Sequence, residues 1–276
     1  MPELPEVQTV VNDLNAAGLE GAVITGARVF WPRSIATPAV RTFYRQIKDK
    51  KISTIWRRGK FLVFDLSGGH FMMIHLRMSG RIHLVPAAKE RRKHEHVIIS
   101  FKDGRQLRFH DTRKFGRIYL VDNPDKILGK LGLEPLAPAF TTKTLLKKLK
   151  AKKRLLKPLL LDQAFIAGLG NIYVDEALWE AKLHPCRIAS TLSDAEAKAL
   201  HRTISLVLKR GLKNLGTSLG TGKANFYSVA RRKGRNTDEL KVFRRTGMPC
   251  PRCKATIERI IVGQRSTHIC PKCQQI

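Results

Sequence analysis

Four cysteines near the end of the sequence carry its sharpest chemical signal. Cys250-Pro-Arg-Cys253 and Cys270-Pro-Lys-Cys273 are two Cys-x-x-Cys knuckles. Each knuckle presents two sulfurs on one turn, and two knuckles supply the four thiolates that tetrahedral zinc takes. Two disulfides are the competing use, but adjacent pairs in a basic intracellular chain disfavour them. With every position filled by cysteine no coordination site stays open, so the expected Zn2+ folds the tail rather than catalyses. Cys186 is left over and is expected to be a buried free thiol.

The opposite end offers a second kind of chemistry. Removal of Met1 before the small residue Pro2 exposes a secondary amine. An α-amino group titrates near about 7.7–8.0, so a useful fraction is an unprotonated nucleophile at neutral pH. Attack on a sugar C1′ gives an iminium that keeps its positive charge without a further proton. That electron sink acidifies the neighbouring C–H and sets up β-elimination of a phosphate. Glu3 and Glu6 lie beside the amine, one suited to move a proton and the other to orient the terminus. Read alone, the same hexapeptide is also an ordinary helix start whose acids complement the macrodipole.

Elements must position these groups. Val7, Val10, Val11 and Leu14 recur at helical spacing, and Pro5 suits a first turn. Short β-type runs come next, with hairpins at Phe61–Leu66/Phe71–Leu76 and His96–Phe101/Gln106–His110, then a strand over Gly116–Val121. Residues 1–130 therefore read as an antiparallel sandwich or barrel carrying one helix, and 131–140 as a linker. From Thr141 the pattern turns helical. Asp162–Ala167 reads as a helix stopped at Gly168-Leu-Gly170, after which Asn171 caps another. Such a helix N-terminus is also a ready phosphate site. Ser193-Asp-Ala-Glu196 is a capping box for a helix ending near Gly211, and 216–238 reads as a mobile basic loop. Arg265 begins the second strand of a hairpin between the knuckles, with the turn at Gly263-Gln264.

Composition narrows the partner. The 276 residues are 43% hydrophobic, enough for real cores at roughly 150 residues per domain. Lys and Arg number 52 against 22 acids, a formal charge of +30. Such an excess repels itself unless a polyanion neutralises it. Nucleic acid is the leading partner; an anionic membrane surface is the rival, weakened because no helix joins a long apolar face to a basic one. Basic residues interrupt every apolar stretch short of a membrane span, and the acidic N-terminus lacks a secretory profile. The expectation is a cytoplasmic, monomeric, nucleoid-associated protein.

Pro2-Glu-Leu-Pro-Glu6, Gly168-Leu-Gly-Asn171-Ile-Tyr-Val-Asp-Glu176 and the tetracysteine hairpin resemble, in order and spacing, the formamidopyrimidine-DNA glycosylases. These base-excision repair enzymes also act as apurinic lyases. Leu4 resembles their branch rather than the sister endonuclease VIII branch, where glycine is usual. The resemblance implies an α+β fold of two domains: a β-sandwich over 1–130, a hinge over 131–140, a helix-two-turn-helix domain over 141–238 and a zinc hairpin over 239–276. It implies Pro2 as nucleophile, Glu3 as general acid, Glu6 as supporting carboxylate, Lys60 in β-elimination and Arg265 on phosphate in δ-elimination. Met78, Arg113 and Phe115 match residues that fill the gap left by an everted nucleotide, and His94, Lys153 and Asn171 match further DNA contacts. Without the resemblance, Lys60 reads as a solvated lysine, Met78 and Phe115 as core residues, and His94 as a structural histidine. The implied partner is damaged double-stranded DNA, held in a basic cleft and bent at the lesion, and the implied substrates are oxidised purines.

Three departures stand out. Asn225 takes a glycine position of the lesion-capping loop, Ser228–Asp238 is longer and more basic than usual, and Arg244 replaces a glycine ahead of the zinc hairpin. A non-catalytic damage-binding module, or a glycosylase for oxidised pyrimidines, is the alternative reading.

Overall fold

The computed structural model describes residues 1–219 and 226–276. Its Val7, Val10, Val11 and Leu14 line the buried side of α1 (Leu4–Ala16). The chain continues through β1 (Ile24–Val29), β2 (Ile35–Thr37), α2 (Val40–Ile47), β3 (Ile52–Arg58), β4 (Phe61–Leu66), β5 (His70–His75) and β6 (Gly80–Pro86). Then come β7 (Glu95–Phe101), β8 (Arg105–Asp111), β9 (Arg117–Val121) and the short α3 (Asp125–Leu128). Both expected hairpins form. The β4–β5 turn puts Gly68 at φ +72° and Gly69 at φ +70°, the pair of left-handed residues that a tight hairpin turn needs and glycine supplies without strain.

Two sheets result, one ordered β1-β7-β8-β6 and the other β2-β9-β5-β4-β3. Alternate residues such as Leu62, Phe64, Met72, Ile74, Val97, Ile99, Leu107 and Phe109 form one core with the apolar face of α1. Two features differ from the sequence reading. The β2–β9 pair is parallel, so the sandwich is not wholly antiparallel. A second helix, α2, buries Phe43 and Ile47 at i, i+4 spacing; eight residues with aromatics are too few to announce a period.

The chain divides into two compact units, Met1–Lys130 with Asn214–Arg235, and Leu131–Lys213 with Asn236–Ile276. Residues 214–219 and 226–235, read from the sequence as part of the helical domain, thus fold with the sandwich. In the second unit, α4 (Thr142–Lys150), α5 (Leu156–Leu161), α6 (Asn171–Glu180) and α7 (Asp194–Lys213) precede the β10 (Glu258–Val262)–β11 (Arg265–Ile269) hairpin. The Ser193/Glu196 capping box is present, with Ser193 N–H donating to Glu196 at 2.7 Å and Glu196 N–H to Ser193 Oγ at 3.2 Å. The helix expected at Asp162–Ala167 is instead α5, six residues upstream. Asp162 accepts the Ala164 N–H at 3.0 Å, closing an Asx turn, and Ala167 N–H donates to Leu133 O at 2.8 Å. The start of the expected linker is held as well, because Gly132 N–H donates to Gln163 O at 2.9 Å.

Candidate active site

Pro2 is buried at the mouth of α1, and Glu3 and Glu6 are 2% and 1% exposed. Glu3, in extended backbone, is the N-cap and forms a reciprocal capping box with Glu6. One Glu6 oxygen accepts the Glu3 N–H at 2.8 Å and the other accepts the Thr217 N–H at 2.7 Å. Gly216 approaches at φ +83°, and a Cβ there would lie 2.8 Å from Glu6 Oε1. Glu6 therefore orients the N-terminus and fixes the start of the segment that leads to residues 220–225. The expected departure at Asn225 lies outside the described residues.

Lys60 sits in the β3–β4 turn and is only 5% exposed, not the solvated lysine that its type suggests. Arg57 ties this turn to α1, donating to Gly59 O at 2.8 Å and to the Gln8 amide oxygen at 3.0 Å. His75 pairs across the sheet with Phe61, next to Lys60. Burial, then the charges of Arg77 and Lys60, push His75 down to about 3, so its ring is neutral. Its Nδ1 accepts the Arg77 N–H at 3.0 Å.

Met78 and Phe115 are 45% and 48% exposed, so neither is a core residue. The Arg113 guanidinium lies 4.9 Å from the Phe115 ring centre. One acid that the sequence reading passed over holds both turns. Asp111, fully buried, accepts the Gly116 N–H at 2.7 Å, the Arg113 N–H at 3.2 Å and the Ser79 hydroxyl. His94 is half-buried among the rings of His96 and His110. Arg77 (φ +53°), His94 (φ +70°) and Lys114 (φ +60°) all adopt left-handed backbone at or beside these candidates. Side chains other than glycine rarely adopt it without a compensating role.

In the second unit Asn171 is the first residue of α6 and Gly170 is the N-cap, which corrects the capping role expected for Asn171. The Asn171 amide donates instead to Ser266 O at 2.8 Å, beside Arg265. Lys157 donates to the same carbonyl at 3.1 Å and to Asp175 Oδ1 at 2.5 Å. Asp175 Oδ2 accepts the His268 N–H at 3.0 Å and meets the His268 ring Nδ1 at 3.0 Å. Lys157 and Asp175 are completely buried and were not legible as site residues. Arg265 itself is exposed at the turn, behind Gln264 at φ +60°. Lys153 stands apart on the exposed turn after α4.

The four cysteine sulfurs lie within 4.8 Å of one another, with Cys250–Cys273 at 4.0 Å and Cys253–Cys270 at 3.3 Å. Tetrahedral zinc with bonds of about 2.3 Å calls for sulfur separations near 3.8 Å, so the set fits. Burial opposes ionisation, yet the backbone N–H groups of Cys253 and Arg252 bring Cys250 down to about 6, while Cys270 is pushed up to about 12. Four thiolates this close need a cation to share their charge. Cys186 is half-buried rather than buried, with its thiol pushed up by desolvation. Arg244, in the departure before the hairpin, has φ +60°, which is the conformation a glycine would relieve.

A β-sandwich with a buried proline ahead of two buried carboxylates near its N-terminus, and a helical unit with a tetracysteine hairpin, define a zinc-finger DNA glycosylase architecture. Residues 1–118 match the formamidopyrimidine-DNA glycosylase N-terminal domain, 131–222 its H2TH domain, and 247–276 the zinc finger found in FPG and IleRS. The chain is 48% identical over 275 residues to the formamidopyrimidine-DNA glycosylase of Protochlamydia amoebophila, covering both in full. It is 44% identical over 285 residues to that of Pelotomaculum thermopropionicum, again over the whole of both. Among solved structures it resembles a Lactococcus lactis FPG point mutant in complex with Fapy-dG-containing DNA, at 36% identity and TM-score 0.92 over the whole of both chains. It also resembles Lactococcus lactis Fpg with abasic-site DNA, at 36% identity and TM-score 0.90 over 99% of this chain and 100% of that one. The chain belongs to the formamidopyrimidine-DNA glycosylase family.

Proposed function

We propose that Pro2, Glu3, Lys60 and Arg265 carry the removal of oxidised purines from duplex DNA and the subsequent cleavage of the strand. The enzyme is a base-excision repair glycosylase with apurinic lyase activity, acting on formamidopyrimidines and 8-oxoguanine. Once Met1 is removed, the Pro2 nitrogen attacks C1′ of the damaged nucleotide while Glu3 supplies a proton at the sugar. The base leaves, and the iminium makes the C2′ hydrogen acidic. Lys60 moves the proton in β-elimination, and Arg265 neutralises the departing phosphate in δ-elimination, leaving a gapped strand. Met78, Arg113 and Phe115 occupy the space of the everted nucleotide and recover part of the few kcal/mol that unstacking costs. His94, Lys153 and Asn171 contact the backbone, so affinity falls steeply with salt. The four cysteines hold one structural zinc, which folds the hairpin carrying Arg265 and takes no part in bond making. The protein works as a monomer at the nucleoid, in the cytoplasm.

The observation that carries the reading is the buried Pro2 followed by two buried carboxylates, one of them bonded to Thr217. Borohydride treatment on an 8-oxoguanine duplex is expected to trap a covalent adduct that maps to the N-terminal peptide. A variant that retains Met1 is expected to lose excision, and normal incision with Met1 in place refutes the assignment. A matched oxidised-pyrimidine duplex separates this activity from that of the sister branch.

A further inference from the structure

The stretch from Ser228, longer and more basic than the family resemblance predicts, has a fixed place on the first unit. Two buried carboxylates of α1 hold it and the residues that lead to it. Glu6 accepts the Thr217 N–H at 2.7 Å. Asp13, 4% exposed, accepts the Ala230 N–H at 2.8 Å and pairs with Arg232. Glu6 and Asp13 are two turns apart on α1, so they share one face of the helix, about 10 Å apart along its axis. Residues 214–219 and 226–235 thus form a strap tied to α1 at both carboxylates, where the sequence alone suggested a mobile loop.

Contacts inside the strap join one tie to the other. The Arg231 N–H donates to Ser228 O at 2.9 Å, the Ser228 N–H to Arg232 O at 3.0 Å and the Arg232 N–H to Ser228 Oγ at 3.2 Å, closing a tight turn where Asp13 grips. Lys233 forms a β-bridge with Tyr227, and Arg235 one with Thr217. Between them the Gly234 N–H donates to Ser218 Oγ at 2.9 Å, and a Cβ on Gly234 would lie 2.3 Å from Gly216 O. Each residue from Ala230 to Arg235 is therefore held by a hydrogen bond or a bridge, up to the Thr217 whose N–H meets Glu6.

Glu6 passes this on to the terminus. Its other oxygen accepts the Glu3 N–H at 2.8 Å, and that N–H belongs to the peptide joining Pro2 to Glu3. A displaced strap therefore moves the peptide that carries the nucleophile. Asp13 does little for α1 itself, since an acid in the last turn of a helix opposes the macrodipole. The partners that offset its desolvation, the Ala230 N–H and Arg232, both belong to the strap.

We propose that Asp13 is a positioning residue for the Pro2 nucleophile, acting through the strap and Glu6. The proposal rests on the reading of Pro2 as the attacking amine. In Asp13→Ala, single-turnover excision from an 8-oxoguanine duplex is expected to slow roughly ten- to a hundredfold, the order that an ångström of misplacement costs. Borohydride trapping on a preformed abasic duplex should slow by the same factor, with the Kd for a tetrahydrofuran duplex unchanged. A purely structural role instead lowers the unfolding midpoint and leaves both rates intact, which overturns the proposal. Slow excision with full-rate trapping puts the effect at the base rather than the amine and overturns it as well. Asp13→Ala/Glu6→Gln is expected to be no slower than Glu6→Gln alone, and losses that multiply overturn the route through Glu6. If Asp13→Ala does not fold, Asp13→Asn keeps an oxygen for the Ala230 N–H but no charge for Arg232, and is expected to show the same pattern with a smaller loss. A wild-type adduct that maps away from the N-terminal peptide removes the Pro2 reading and the proposal with it. An adduct at Pro2 with Asp13→Ala at full rate overturns the proposal alone.

Discussion

Lys157→Met tests how the hairpin that carries Arg265 is held. Lys157 and Asp175 are both fully buried, with Nζ and Oδ1 2.5 Å apart. At an effective dielectric near 20, unit charges at that separation attract by about 6–7 kcal/mol. Desolvation of the two ions offsets much of this, so the informative quantity is the cost of losing one partner. A stranded buried charge costs about 3–5 kcal/mol. Asp175 keeps the His268 N–H and ring contact in Lys157→Met, which places the loss at the lower end, about 3 kcal/mol. Asp175→Leu strands the ammonium and the His268 N–H together and is expected to cost more. The double variant leaves no buried charge, only that N–H at about 1–3 kcal/mol, so its cost falls well short of the summed singles. Urea unfolding of the three variants gives the cycle directly. The same substitution removes one of two side-chain donors to Ser266 O, next to Arg265, leaving Asn171. Products on an abasic duplex are therefore expected to shift from β,δ- toward β-elimination. A single variant costing under about 1 kcal/mol, or singles that add, would refute the reasoning.

Four further outcomes rest on other contacts. Gly216→Ala places a Cβ at φ +83° and 2.8 Å from Glu6 Oε1, so stability should fall by about 1–3 kcal/mol and excision by more than DNA binding, read from thermal unfolding and single-turnover assays. Arg244→Gly relieves a left-handed arginine at φ +60° and should raise the denaturation midpoint by the equivalent of about 1 kcal/mol. A strong chelator should release one zinc per chain and shift the emission of Trp179, which packs against Cys250 and Cys270, while unfolding the β10–β11 hairpin. His75, held at about 3 against an ordinary 6.5, binds its proton in the unfolded chain first. Its stabilisation is complete above about pH 6.5 and is lost toward pH 3 at up to about 1.4 kcal/mol per pH unit, so His75→Phe should flatten urea midpoints across that window.

What the sequence made legible is what depends on neighbours along the chain. Both early hairpins, α1, the Ser193/Glu196 capping box and the two cysteine knuckles are local patterns, and each stands where its spacing puts it. Where local signals compete, distant contacts decide the outcome. Gly168-Leu-Gly170 looks like a helix stop, but pairing of Leu133 with Ile166 keeps the preceding residues out of a helix. Asn171 has the residue type of a cap, but Ser266 O, 95 residues away, takes its amide. The larger omission has one physical cause, which is that acids are read as surface residues. In this fold Asp13, Asp111, Asp175 and Glu176 are buried like Glu6, the one of the five that the sequence put in the site, and each accepts backbone N–H groups from a loop or strand. The Glu6 and Asp13 contacts join residues 211 and 217 positions apart, beyond the reach of any periodicity. A chain with 22 acids against 52 cations thus commits several acids to fixing loops from within, where they neutralise little of the surface. The buried acids therefore leave the surface more basic than the net charge alone implies, and such a surface favours a ligand that is itself a polyanion.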